Sequence, residues 1–67
     1  MIIFQVNDMT CGHCAGVITR AVRDIDPAAR VEIDLAAHRV MIESAQADAG
    51  RLAAAIREEG YTPEAVG

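Results

Sequence analysis

Met9-Thr10-Cys11-Gly12-His13-Cys14 separates two hydrophobic periods. Before it, Ile2, Phe4 and Val6 alternate with Ile3, Gln5 and Asn7, the two-residue repeat of a half-buried strand that ends at Asn7-Asp8. After it, Val17, Ile18, Ala21, Val22 and Ile25 recur at helical spacing, with Arg20, Arg23 and Asp24 on the other face. Asp26-Pro27 stops that helix, because the residue before a proline is pushed out of the helical region. The run is thus a strand–loop–helix junction, and it holds the only two cysteines of the chain.

Further along, Val31, Ile33 and Leu35 alternate with Glu32 and Asp34, which predicts a second strand. Val40 and Ile42 alternate with Arg39, Met41 and Glu43 and predict a third. The connection through Ala36, Ala37 and His38 is short enough for a hairpin, although it lacks the Asn-Gly signal of a tight turn. Residues 44–47 read as a polar, small-residue link. A second helix is predicted from Asp48, its N-cap, to Glu59, with Ala49, Leu52, Ala53 and Ile56 facing inward. Gly60 stands where a left-handed helix cap belongs, and Tyr61 to Val66 form a last strand that Pro63 confines to an edge.

The order βαββαβ favours an α+β, ferredoxin-like sandwich: a four-stranded antiparallel sheet with two helices on one face. Residues 1–67 suffice for one small domain. In that topology the cysteine loop, the Ala36–His38 tip and the Gly60-Tyr61 loop meet at one pole, with Tyr61 nearest the cysteines. Met41 falls on the open face of the sheet, opposite to Val40 and Ile42.

Bulk composition narrows the functions. The apolar residues are mostly small and aliphatic, with one phenylalanine, one tyrosine and no tryptophan, so a deep cavity for an organic substrate is not expected. The net charge is −4 and every basic residue is an arginine. A nucleic-acid binder would carry a basic face, whereas an acidic surface suits docking on a basic patch of a protein partner. There is no basic leader, and no apolar run approaches the length of a membrane span. The expectation is a cytoplasmic protein without membrane insertion, or a domain of a larger one; the initial methionine and the end soon after the last strand favour a stand-alone protein. In that compartment a CxxC pair stays reduced, so a structural disulfide is the least expected use.

Two thiols spaced as in Cys11-Gly12-His13-Cys14 can share a soft metal ion or cycle between dithiol and disulfide. Cys14 lies in the first helical turn, where unpaired N–H groups and the helix dipole favour a thiolate, and Gly12 lets the loop fold tightly enough for both sulfurs to converge. Two thiolates make a low-coordinate site suited to Cu(I), while Zn(II) would want about four ligands. His13 could add a third ligand or simply face solvent; His38 reads as a surface histidine at the hairpin tip, and Glu58-Glu59 as a solvated helix end. The rival redox reading, a thiol–disulfide oxidoreductase, rests on the Cys-Gly-His-Cys string alone. Thr10 stands where such enzymes usually have an aromatic, and the chain is short for their fold.

The Met9–Cys14 run, the βαββαβ order and the Glu59-Gly60-Tyr61-Thr62-Pro63 ending resemble the heavy-metal-associated domain family, and within it the free-standing bacterial copper chaperones. The resemblance covers nearly the whole chain. It implies a non-enzymatic carrier in which Cys11 and Cys14 ligate Cu(I), Met9 packs under the loop without binding metal, and Tyr61 is the aromatic beside the site. Zn(II) or another soft ion is the alternative cargo. The implied partner is the metal-binding domain of a copper-transporting P-type ATPase, or a copper-responsive regulator, and a metal-bridged homodimer is chemically reasonable.

Overall fold

In the computed structural model, which describes residues 1–44 and 48–66, the chain runs β1 (Ile2–Val6), α1 (Gly12–Ile25), β2 (Arg30–Asp34), β3 (Arg39–Glu43), α2 (Ala49–Glu58) and β4 (Pro63–Ala65). The strands form one antiparallel sheet in the order β2-β3-β1-β4. This is the ferredoxin-like arrangement that the periodicity predicts. Of the link predicted over 44–47, the residues after Ser44 lie outside those described.

Register follows from which side chains must leave water. Phe4 pairs with Val40 and Ile2 with Ile42, while Ile33 and Val31 meet the same two β3 residues from the other side. Phe4, Val6, Val40 and Ile42 are buried against Ile18 and Val22 of α1 and Leu52, Ala53 and Ile56 of α2. A one-residue slip would turn this whole set to solvent, so the register is strongly specified. Val31 and Ile33 are only partly covered, because β2 is an edge strand.

Several sequence expectations shift in detail. Leu35 is not in β2: the turn takes residues 35–38, and Leu35 is 39% exposed. Ala49 is exposed at the start of α2, leaving Leu52, Ala53 and Ile56 as the inward stripe. The last strand is shorter than predicted. The Tyr61 and Thr62 amides are diverted, the first to the Ile56 carbonyl and the second to an Asp8 carboxylate oxygen at 3.2 Å. Pro63 then opens β4 on the sheet edge, opposite Val6.

The helix ends carry their own signals. Asp48 caps α2, its carboxylate accepting from the Arg51 amide at 2.8 Å. Gly60 ends the same helix at φ 93, a conformation that costs glycine little and other residues much. Asp26, buried at the end of α1, accepts from the Ala28 amide and from the Ser44 hydroxyl at 2.6 Å, joining the helix end to the end of β3.

Candidate metal centre

The site is built where β1 gives way to α1. Cys11 is the N-cap of α1 in an extended conformation, and no side chain caps the helix. The first turn contains no acidic residue, so the partial positive charge of the helix N-terminus faces the two thiols unopposed. Cys14 is the third residue of the helix, within its first turn. This geometry brings the Cys11 and Cys14 Sγ atoms to 3.4 Å of each other. Both thiols are free; Cys11 is exposed and Cys14 half-buried.

The two sulfurs are not equivalent. Hydrogen bonding from Tyr61 is the largest influence on Cys14, followed by the Thr10 backbone and the Cys11 side chain; these outweigh partial desolvation and bring the Cys14 thiol down to about 7. The same hydrogen bond, with desolvation and the nearby sulfurs, pushes the Tyr61 phenol up to about 12. Tyr61 therefore stays protonated near a sulfur that is ready to ionise.

Met9 lies at the base of the loop, fully buried in the core. Its side chain packs among apolar neighbours rather than beside open solvent. His13 is exposed and lines a shallow groove with Gly16, Val17 and Arg20. Among the described residues, no group of three or more His, Cys, Asp or Glu side chains gathers as a metal cage. The two sulfurs are thus the soft donors that the fold brings together.

The polar frame of the loop was less legible in the sequence. His38, read there as an ordinary surface histidine, has its Nδ1 2.9 Å from the Met9 carbonyl oxygen, and its own carbonyl accepts from the Val6 amide at 2.7 Å. Gln5 donates to the Ala37 carbonyl at 2.8 Å and accepts from Arg39 Nε at 3.2 Å. Asp8 holds the Thr62 amide. The pole shared by three loops was predictable from topology, but the direction of the His38 ring had no sequence signal.

A small open-faced sandwich with a reduced thiol pair at one tip is the architecture of a metal carrier. Comparison with known proteins agrees: the heavy-metal-associated domain model matches residues 3–62, and the chain belongs to that family. No curated protein matches the chain. Among solved structures, a gold binding protein is 32% identical, with a TM-score of 0.93 over 98% of this chain and 100% of its own. The copper chaperone Atx1 from Synechocystis PCC6803, in a trimeric Cu1 form carrying a His-to-Tyr substitution, is 36% identical, with a TM-score of 0.91 over 96% of this chain and 100% of its own. A protein of Agrobacterium tumefaciens is 47% identical, with a TM-score of 0.81 over 92% of this chain and 95% of its own.

Proposed function

We propose that this protein is a cytoplasmic copper chaperone that carries Cu(I) on Cys11 and Cys14 and passes it on by thiolate exchange. The observation that carries the reading is the sulfur pair itself: 3.4 Å apart, one member exposed, the other with its thiol lowered to about 7. Thiolates are soft ligands that suit Cu(I), and a site with two of them leaves room for an incoming third. Zn(II) would draw further ligands, and among the described residues no third His, Cys, Asp or Glu side chain joins the two sulfurs. His13 accordingly serves as an exposed residue between the ligands, and Tyr61 and Met9 act around the site without touching the metal.

Transfer follows from ligand count. A cysteine thiolate of the acceptor attacks the copper, a three-coordinate bridged species forms, and one thiolate of this chain leaves and takes up a proton. No electron moves, so the cycle needs neither oxidant nor reductant. The acceptor is the metal-binding domain of a copper-transporting P-type ATPase, or a copper-responsive regulator. Likeness to copper chaperones supports the class of cargo. The same exposed pair allows a second copy to supply the third sulfur, giving a metal-bridged homodimer.

The test is transfer. Reduced protein loaded with one equivalent of Cu(I) is mixed with the apo form of a CxxC-bearing domain from such an ATPase, and copper is assayed on each after rapid separation. Copper reaching the acceptor faster than it escapes to a chelator of equal strength supports the reading. Copper that reaches the acceptor only by way of free solution would refute it. An oxidoreductase would instead reduce insulin disulfides, which this protein should not do.

A further inference from the structure

We propose that His38 is a positioning residue for the metal loop, its ring clamping the Met9 carbonyl so that Cys11 is presented to Cys14 at binding distance. The inference rests on the carrier reading above. Its starting point is a backbone anomaly. His38 is the one non-glycine residue with a positive φ among the described residues, at 55°. A left-handed conformation is unfavourable for a residue with a Cβ, so neighbouring interactions must hold it there.

Three bonds do so: its amide donates to the Leu35 carbonyl at 3.4 Å within the turn, and the other two grip the segment that leads into the metal site. The His38 carbonyl accepts from Val6 at the end of β1, and Nδ1 donates to the Met9 carbonyl. Between those anchors Met9 donates its own amide to the Val6 carbonyl at 3.1 Å, closing a tight turn. The Met9 side chain is fully buried, which prevents the turn from sliding. Beyond it the restraints thin out. Thr10, Cys11 and Gly12 are all exposed, Cys11 caps its helix without a side-chain bond, and a Cβ at Gly12 would meet nothing within 4 Å. The Met9 carbonyl is therefore the last point before the first sulfur that is held from outside the loop and its helix, and His38 is what holds it from across the fold.

The ring must act as a donor, because a carbonyl oxygen only accepts. Both the neutral ring with its proton on Nδ1 and the imidazolium satisfy that. The side-chain amide of asparagine carries its Nδ2 on Cγ, as histidine carries Nδ1, and asparagine tolerates a left-handed backbone. It is thus the conservative replacement, whereas glycine relieves the backbone and removes the donor.

The experiment compares the wild-type protein with His38→Gly and His38→Asn, all reduced. In the metal-free proteins, amide hydrogen exchange at Thr10, Cys11 and Gly12 should quicken in His38→Gly and stay near wild type in His38→Asn. The urea midpoint of His38→Gly should be equal to or above that of wild type. Cu(I) affinity, measured by chelator competition, should fall about tenfold in His38→Gly, the scale of an outer-shell effect, and recover in His38→Asn. Unchanged exchange and affinity in His38→Gly would overturn the proposal, as would an affinity loss equal in both variants. If the wild-type protein itself fails to bind Cu(I), the carrier reading falls, while the exchange comparison still decides whether His38 clamps the loop.

Discussion

The Tyr61 phenol and the Cys14 thiol move each other's acidity in opposite directions: Tyr61 is the largest influence bringing the thiol from 9.0 to about 7, and Cys14 the largest raising the phenol from 10.0 to about 12. Near neutral pH Tyr61 keeps its proton, while Cys14 gives up its own far more readily than an ordinary thiol. Metal loading must displace the remaining proton, so affinity for a soft ion should rise as pH passes through this range.

Removing the phenol tests this directly. In Tyr61→Phe, the midpoint of thiolate formation, followed by ultraviolet absorbance of the reduced metal-free protein, should rise from about 7 toward 9.0. Cys14 gives up its proton at a lower pH folded than unfolded, so its contribution to stability is present above 9.0 and lost as pH falls through about 7. For Tyr61, raised on folding, the contribution is present below 10.0 and lost as pH rises through about 12. The urea midpoint of the wild type should therefore climb between 7 and 9.0, and that climb should shrink in Tyr61→Phe. A thiolate midpoint unmoved by the substitution would show that Tyr61 does not govern Cys14.

Met9 separates packing from ligation. Because its side chain is fully buried, Met9→Ala should lose about 2–5 kcal/mol of stability in urea unfolding. Met9→Leu keeps the volume and should lose less than about 1.5 kcal/mol. Cu(I) affinity in Met9→Leu should match the wild type; a large loss there would mean that the thioether binds metal.

Exposure orders the two cysteines. Cys11 is open to solvent, while Cys14 is half-buried. An incoming thiolate should displace Cys11 first, so Cys11→Ser should weaken the bridged complex with an acceptor domain more than Cys14→Ser does. Equal effects, read by gel filtration of the mixed proteins, would remove this order.

Asp48 supplies the remote control. Its carboxylate caps α2 far along the chain from the thiols. Asp48→Ala should lower stability by about 1 kcal/mol and leave Cu(I) affinity unchanged. Affinity falling with stability would mean that the metal loop follows global unfolding rather than its own restraints.

How much of this was legible in the sequence depended on range. The change of period across Met9–Cys14 located the first strand and helix, and local chemistry located Asp48 and Gly60 at the ends of α2. Those signals lie within a few residues of their effect. Leu35 shows where alternation misleads: it continues the apolar pattern of β2, yet the hairpin needs four residues and takes Leu35 into the turn. The contraction of β4 depended on Asp8 capturing the Thr62 amide, a contact across more than fifty residues of chain. The His38–Met9 bond is of the same kind. Sequence pattern reports which face a residue occupies, and it does not report where a ring at a hairpin tip points.

Whether Cys11 and Cys14 together bind one Cu(I) is decided by competition titration of the reduced protein against a Cu(I) chelator of known strength, repeated with Zn(II). One Cu(I) should bind per chain, far more tightly than Zn(II), with tight binding abolished in both Cys11→Ser and Cys14→Ser and unaltered in His13→Ala. Tight binding that survives the loss of either cysteine, or a preference for Zn(II), would rule the two-thiolate copper site out.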